Sequence, residues 1–312
     1  MRASLAPPRR AVEAAAPFLD PRGARVVLGA QPGASVAPVL PTPSSLFGPR
    51  GACLAHEDGP LFVCDTGHHR VLVWMRAPQR DGTPADFVIG QRDLRSEGRT
   101  MLAVPTGVAS SDGVLAVADA WNDRVLLWHR LPRCADDAPD VILHGLKWPY
   151  GVALDEGRLY VADTGNRRVL LWRSIPRANR PPDAVVAEGM RWPHALAACA
   201  GRLFIADAGA GRIAGAEDET AGTELEMPYG VTMLGGCLVV ADTAASRLVA
   251  FELGSRGARY LAGQPSLADR GENRWGRPAR DSLSWPYGVA ACGRTLVVAD
   301  SGNNRVLLWD LA

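Results

Sequence analysis

The sequence predicts an all-β fold: a six-bladed β-propeller of four-stranded antiparallel blades, its ring closed by an N-terminal strand. Three observations predict it. The segment WPYGVALDEGRLYVADTGNRRVLLW, Trp148 to Trp172, returns as WPYGVAACGRTLVVADSGNNRVLLW from Trp285 to Trp309 and, more loosely, four further times. A proline (Pro49, Pro105, Pro149, Pro193, Pro228, Pro286) precedes an aspartate (Asp65, Asp119, Asp163, Asp207, Asp242, Asp300) by 14 residues in five copies and by 16 in the first. An arginine (Arg70, Arg124, Arg168, Arg212, Arg247, Arg305) follows the aspartate by five every time. Within each copy, short apolar runs alternate with clusters of Gly, Asp and Asn, the pattern of strands and tight turns, and no 3.6-residue period appears. Units of this kind bury their apolar faces only against one another, and radial repetition of four-stranded units makes a propeller.

The elements follow in chain order. Residues 1–23 are expected to form a poorly ordered extension and residues 24–312 a single domain. Ala24 to Gly29 (ARVVLG) resembles the runs that close most units: Asp86 to Gly90, Asp140 to Gly145, Asp183 to Gly189 and Ala258 to Gly263. The last copy stops at Ala312, three residues after its third strand. Ala24 to Gly29 is therefore expected to serve as that blade's outer strand, covering an edge that would otherwise be unpaired. The six copies run from about residue 48 to 312, with His56 to Pro60 lengthening a turn in the first.

The repeated Asp, four-residue loop and Arg resemble the NHL repeat, whose units read approximately P-x-G-V-A, then G, then a strand ending V-A-D-T-x-N-x-R-V. The likeness extends from about Gly48 to the C-terminus. Tryptophan-aspartate repeats are disfavoured, because Trp74, Trp128 and Trp172 precede Met, His and Arg and only Trp309 precedes Asp. Membership of the NHL family implies binding of proteins or RNA for most members and catalysis for a few relatives. Fold alone does not decide between them.

Composition excludes several classes. With 34 basic and 33 acidic residues the formal charge is +1, which argues against a dedicated nucleic-acid binder or a polybasic membrane anchor. No apolar stretch approaches the roughly 18 residues of a membrane span. Six cysteines, Cys53, Cys64, Cys134, Cys199, Cys237 and Cys292, form no C-x-x-C pair, so free thiols, a cytoplasmic location and a monomer are the expectation. No Walker loop or G-x-S-x-G elbow occurs. Gly209 to Ala214 matches the dinucleotide fingerprint by letters but falls in a hairpin, where no helix receives a pyrophosphate.

A feature shared by all six blades belongs to the blade, so function is sought where symmetry breaks. The Asp and Arg pairs span hairpins and are read as structural, each adding roughly 0.2 to 1 kcal/mol. Trp74, Trp128, Trp172 and Trp309, with Phe251 and Ala216 at the matching places, are read as packing between blades. The residue after each repeat proline enters the innermost strand on the face that carries the connections. Those residues are Arg50, Thr106, Tyr150, His194, Tyr229 and Tyr287, an asymmetric polar-aromatic ring at the channel mouth of the kind favoured at binding surfaces. Trp192-Pro193-His194 resembles the segment that supplies zinc ligands in peptidylglycine amidating lyases, but a catalytic zinc wants three protein ligands and the equivalent positions hold Arg, Thr and Tyr. The ring has no acidic residue, unlike lactonase-type propellers. No metal or cofactor is expected.

Connections break the symmetry most. Gln31 to Gly48, Gln91 to Val104 and Gln264 to Trp285 are long and neighbours in ring order, and are expected to wall one side of the top face. The last contains Arg270, Arg274, Trp275 and Arg277, read as candidate binding residues. The acidic stretch Glu217, Asp218, Glu219, Glu224 and Glu226 is read as a solvated turn. The sum is a non-catalytic binding module that receives a protein or peptide on its top face. The alternatives are a lyase- or lactonase-type enzyme with a channel-mouth metal, and single-stranded RNA binding through stacked aromatics and arginines.

Overall fold

A computed structural model describes residues 17–29, 40–96, 98 and 101–312. Six antiparallel sheets succeed one another along the chain. Their innermost strands are Gly51–Leu54, Pro105–Ser111, Pro149–Asp155, Pro193–Cys199, Pro228–Leu234 and Pro286–Cys292. Each contacts the innermost strand of the next blade and the last contacts the first, so the ring closes around a channel. The approach is close because a glycine follows the ring residue in five blades. A Cβ on Gly151 would stand 2.5 Å from the His194 carbonyl oxygen, so only glycine lets the backbones meet there. Blade four has Ala195 instead.

Closure takes the expected form. Val26–Gly29 pairs antiparallel with Arg305–Asp310, Val26 opposite Leu308 and Gly29 opposite Arg305, and completes blade six. Docking begins earlier than this strand. Leu19 is buried and bridges Leu311, Phe18 stacks on Tyr260 at 5.0 Å, and the Trp309 indole donates to the Asp20 carbonyl at 2.8 Å. Residues 17–23, expected within a poorly ordered extension, are thus packed on blades five and six, and residues 1–16 lie outside the described residues.

One blade departs from the four-stranded pattern. Blade four has three strands, ending at Arg212–Ala214. The chain beyond it turns instead, with Thr220 N–H bonded to the Ala216 carbonyl and Glu219 buried against Arg202 at 3.0 Å. Glu219 therefore does not belong to a solvated turn. Gly209 to Ala214 forms a 3-10 turn and a short strand, as the rejection of a dinucleotide site requires.

The repeat residues explain the blade. Each aspartate ends the second strand and ties three segments together. Asp163 accepts from Arg168 Nε at 2.8 Å, from Asn166 at 2.9 Å and from the Lys147 backbone N–H at 2.7 Å, two residues before the repeat proline. The carboxylate thus holds the hairpin, its 3-10 turn and the incoming connection. The strand-end tryptophans are buried between blades, and the Trp74 and Trp128 indoles donate to the Thr83 and Asp137 carbonyls. Among the described residues no helix is long and apolar enough to cross a membrane.

Candidate functional site

The six residues after the repeat prolines meet at the mouth of the channel, where a cavity of about 340 Å³ runs down between small side chains such as Ala109, Ala153 and Ala197. They do not stand open. His194 stacks on Tyr229 at 4.2 Å and on Tyr150 at 5.2 Å, and Tyr229 leans on Tyr287 at 4.8 Å. The Arg50 guanidinium lies 4.8 Å from the centre of the Tyr287 ring, a cation–π distance. Thr106 is buried and its hydroxyl donates to the Tyr150 carbonyl at 2.9 Å. The ring is a stacked arc that narrows the channel.

His194 is buried and its Nδ1–H meets the Tyr229 carbonyl at 2.9 Å. Burial, helped by the nearby Arg50 charge, pushes its pKa down to about 3 against the pull of that hydrogen bond. The imidazole is neutral at physiological pH, and its visible task is to hold a backbone carbonyl. Burial likewise raises Tyr229, with Tyr287 adding to the effect. Among the described residues no group of three or more His, Cys, Asp and Glu side chains is placed to hold a metal ion.

Above the mouth lies a second hollow of about 490 Å³, between the loops of the top face. Its walls include Phe47, Trp121, Trp285, Tyr150 and Tyr287, with Arg50 reaching in from the ring. Phe47 and Trp121 are about half exposed. Trp285 is the residue before its repeat proline, held in a left-handed conformation at φ 48°. Trp148, Val104 and Met227 occupy the same position in other blades with the same sign of φ, an unfavourable conformation for bulky or β-branched residues.

A repeated bond helps impose that conformation. The side chain that caps the 3-10 turn of one blade accepts the N–H of the residue before the next proline. Asp123 accepts from Trp148 at 2.8 Å, His69 from Val104 at 3.1 Å, and Asn304 from Gly48 at 2.8 Å. Glu272 accepts the Trp285 indole N–H at 2.8 Å, which fixes that wall of the hollow.

These wall residues were readable and were missed. The position before the proline reads Gly48, Val104, Trp148, Trp192, Met227, Trp285, as asymmetric as the ring itself. The second hairpin position reads Gly67, Trp121, Gly165, Gly209, Ala244, Gly302, so Trp121 alone brings a large side chain.

The candidate residues of the longest connection do not join this site. Arg270 is committed to Glu226 and to the Leu267 carbonyl. Arg274 pairs with Asp281 at 2.6 Å inside its own loop. Trp275 is 83% exposed and lies against Gly271, and Arg277 is exposed. Of the arginines expected to meet phosphates, Arg270 and Arg274 are neutralised by Glu226 and Asp281, whereas Arg277 makes no ion pair among the described residues. Of the other long connections, residues 30–39, 97, 99 and 100 lie outside the described residues.

No protein-family model matches the chain, and no curated protein matches it by sequence. Solved structures do. A chain of a nidogen/laminin complex is 18% identical, with 88% of this chain and 98% of that one covered and a TM-score of 0.53. Virginiamycin B lyase from Staphylococcus aureus is 12% identical over 88% and 98%, with a TM-score of 0.52. The WD40 propeller domain of Doa1 is 12% identical over 95% and 96%, at 0.53. At these identities the likeness is one of fold. The chain is a six-bladed β-propeller, and its neighbours in fold include a lyase as well as a WD40 domain.

Proposed function

We propose that this chain is an NHL-type propeller acting in the cytoplasm as a monomeric, non-catalytic binding module, and that a protein or peptide partner occupies the aromatic hollow over the channel mouth. The observation that carries this reading is the hollow itself. Phe47, Trp121 and Trp285 arise where the repeat is broken, and large aromatic side chains in a concavity are the common anchors of protein recognition. Six free thiols suit a reducing compartment. His194, the residue on which a lyase-like mechanism would rest, is neutral and engaged with backbone.

Selection from a phage-displayed peptide library tests the reading. Sequences enriched on the wild-type protein should lose at least tenfold in affinity on a Trp121→Ala/Trp285→Ala variant, a change of about 1.4 kcal/mol. Failure to enrich any peptide, with salt-sensitive retention of poly(U) by the same protein, would replace the reading with RNA binding.

A further inference from the structure

The six ring positions carry one formal charge. Thr106, Tyr150, Tyr229 and Tyr287 are neutral by residue type and His194 is neutral by burial. Arg50 remains. Its guanidinium rests against the Tyr287 face, partly buried. Among the described residues it makes no ion pair and no side-chain hydrogen bond, whereas Arg70, Arg247, Arg270, Arg274, Arg280 and Arg305 each pair with a carboxylate.

Among the described residues, no carboxylate is available to it from the walls. Neither the hollow nor the channel beneath has an aspartate or glutamate in its lining. Nearby acids are already engaged. Asp65 serves Arg70, His68 and the Phe47 N–H; Asp300 serves Arg305, Asn303 and the Ser284 N–H; Glu272 takes the Trp285 indole. A partly desolvated cation without a counter-charge sits at a free-energy cost that an arriving anion relieves. The cation–π contact occupies one face of the guanidinium plane and leaves its edge donors for a planar, two-oxygen acceptor.

We propose that Arg50 captures a carboxylate of the peptide that occupies the hollow, with Phe47, Trp121 and Trp285 receiving the apolar or aromatic side chain beside it. This rests on the peptide-binding reading above. The carboxylate can come from a chain end or from an Asp or Glu side chain, since both present the same acceptor.

Three synthetic hexapeptide pools of otherwise random composition separate the cases. One has a free C-terminus and no Asp or Glu; one is amidated with a fixed internal Asp; one is amidated and carries no carboxylate. At least one carboxylate pool should bind about tenfold more tightly than the uncharged pool, and the stronger of the two identifies the source. Arg50→Gln should erase the preference, and Arg50→Lys should keep part of it because charge survives without the fork. Unchanged thermal unfolding of both variants shows that the fold is intact.

If the uncharged pool binds as well as the others and Trp121→Ala weakens all three, the carboxylate inference is wrong while the peptide-binding reading stands. A preference that survives Arg50→Gln also overturns it. Absence of binding by every pool overturns both.

Discussion

The two halves of the ring use one repeat residue in two ways. In blades one, five and six the repeat arginines are buried, and each adds carbonyls of the connections to its ion pair. Arg70 donates to Leu94, Thr42 and Ser45, Arg247 to Leu267 and Glu224, and Arg305 to Ala279 and Ser282. In blades two, three and four the same side chains are 22%, 34% and 52% exposed, and the pair loosens to 3.6 Å between Arg212 and Asp207. Among the described residues of the second group only Arg124 also reaches a connection, donating to the Met101 carbonyl of the long segment that leads into blade two. A pair that sets hairpin register in one half becomes the anchor of a lid of loops in the other.

The comparison breaks most severely at the closing strand, which lies in the anchored half. Removing residues 1–29 deletes Leu19, Val26, Val27 and Leu28, all buried, and with them about 1.5–3 kcal/mol of burial each. That sum rivals the whole stability of an ordinary domain, about 5–15 kcal/mol. The truncated chain should form no folded monomer by size-exclusion chromatography. A soluble monomer with an unchanged melting temperature would show that the closing strand is dispensable.

A smaller effect separates the halves directly. Arg305→Ala leaves Asp300 buried without its counter-charge and frees two loop carbonyls, so a loss of about 3–5 kcal/mol is expected in urea unfolding. Arg168→Ala removes a partly exposed partner and should cost at most about 1 kcal/mol. Equal losses would mean that the loops add nothing to the pair.

Between these lies a pH effect in the half with short connections. His194 has a folded pKa of about 3 against about 6.5 unfolded. The unfolded chain therefore binds the extra proton between those values. The stability is fully present above about pH 6.5 and falls as pH drops toward 3. At pH 4.5 the loss should be on the order of 2 kcal/mol more in the wild type than in His194→Gln, which keeps a donor for Tyr229 without titrating. Identical pH profiles would show that burial does not hold the imidazole neutral.

Much of the fold was legible because strand pairing repeats. The Pro, Asp and Arg spacing located the blades, and Ala24 to Gly29 announced the closing strand by its likeness to Ala258 to Gly263. Blade four was harder. Four strands were expected there and three are found, and the buried Glu219 could not be told from the exposed acids beside it without Arg202 in place. The ring residues were legible by position but not by state. Sequence alternation shows which residues face the channel; it does not show that His194, Tyr229 and Tyr287 lean on one another. Partner choice among the loop arginines was invisible for the same reason, since Arg270 finds its acid 44 residues away.

The antiparallel pairing of Val26–Gly29 with Arg305–Asp310 also sets how the ring responds to tension. Residues 18 and 312 lie together, the Ala312 N–H bonding the Phe18 carbonyl. Force applied to these two points in opposite directions loads that contact first, then Leu19 with Leu311, then each backbone bond of the pair in turn. The seam, between two strands of blade six, opens like a zipper, one bond at a time. A propeller built this way yields to pulling at its seam.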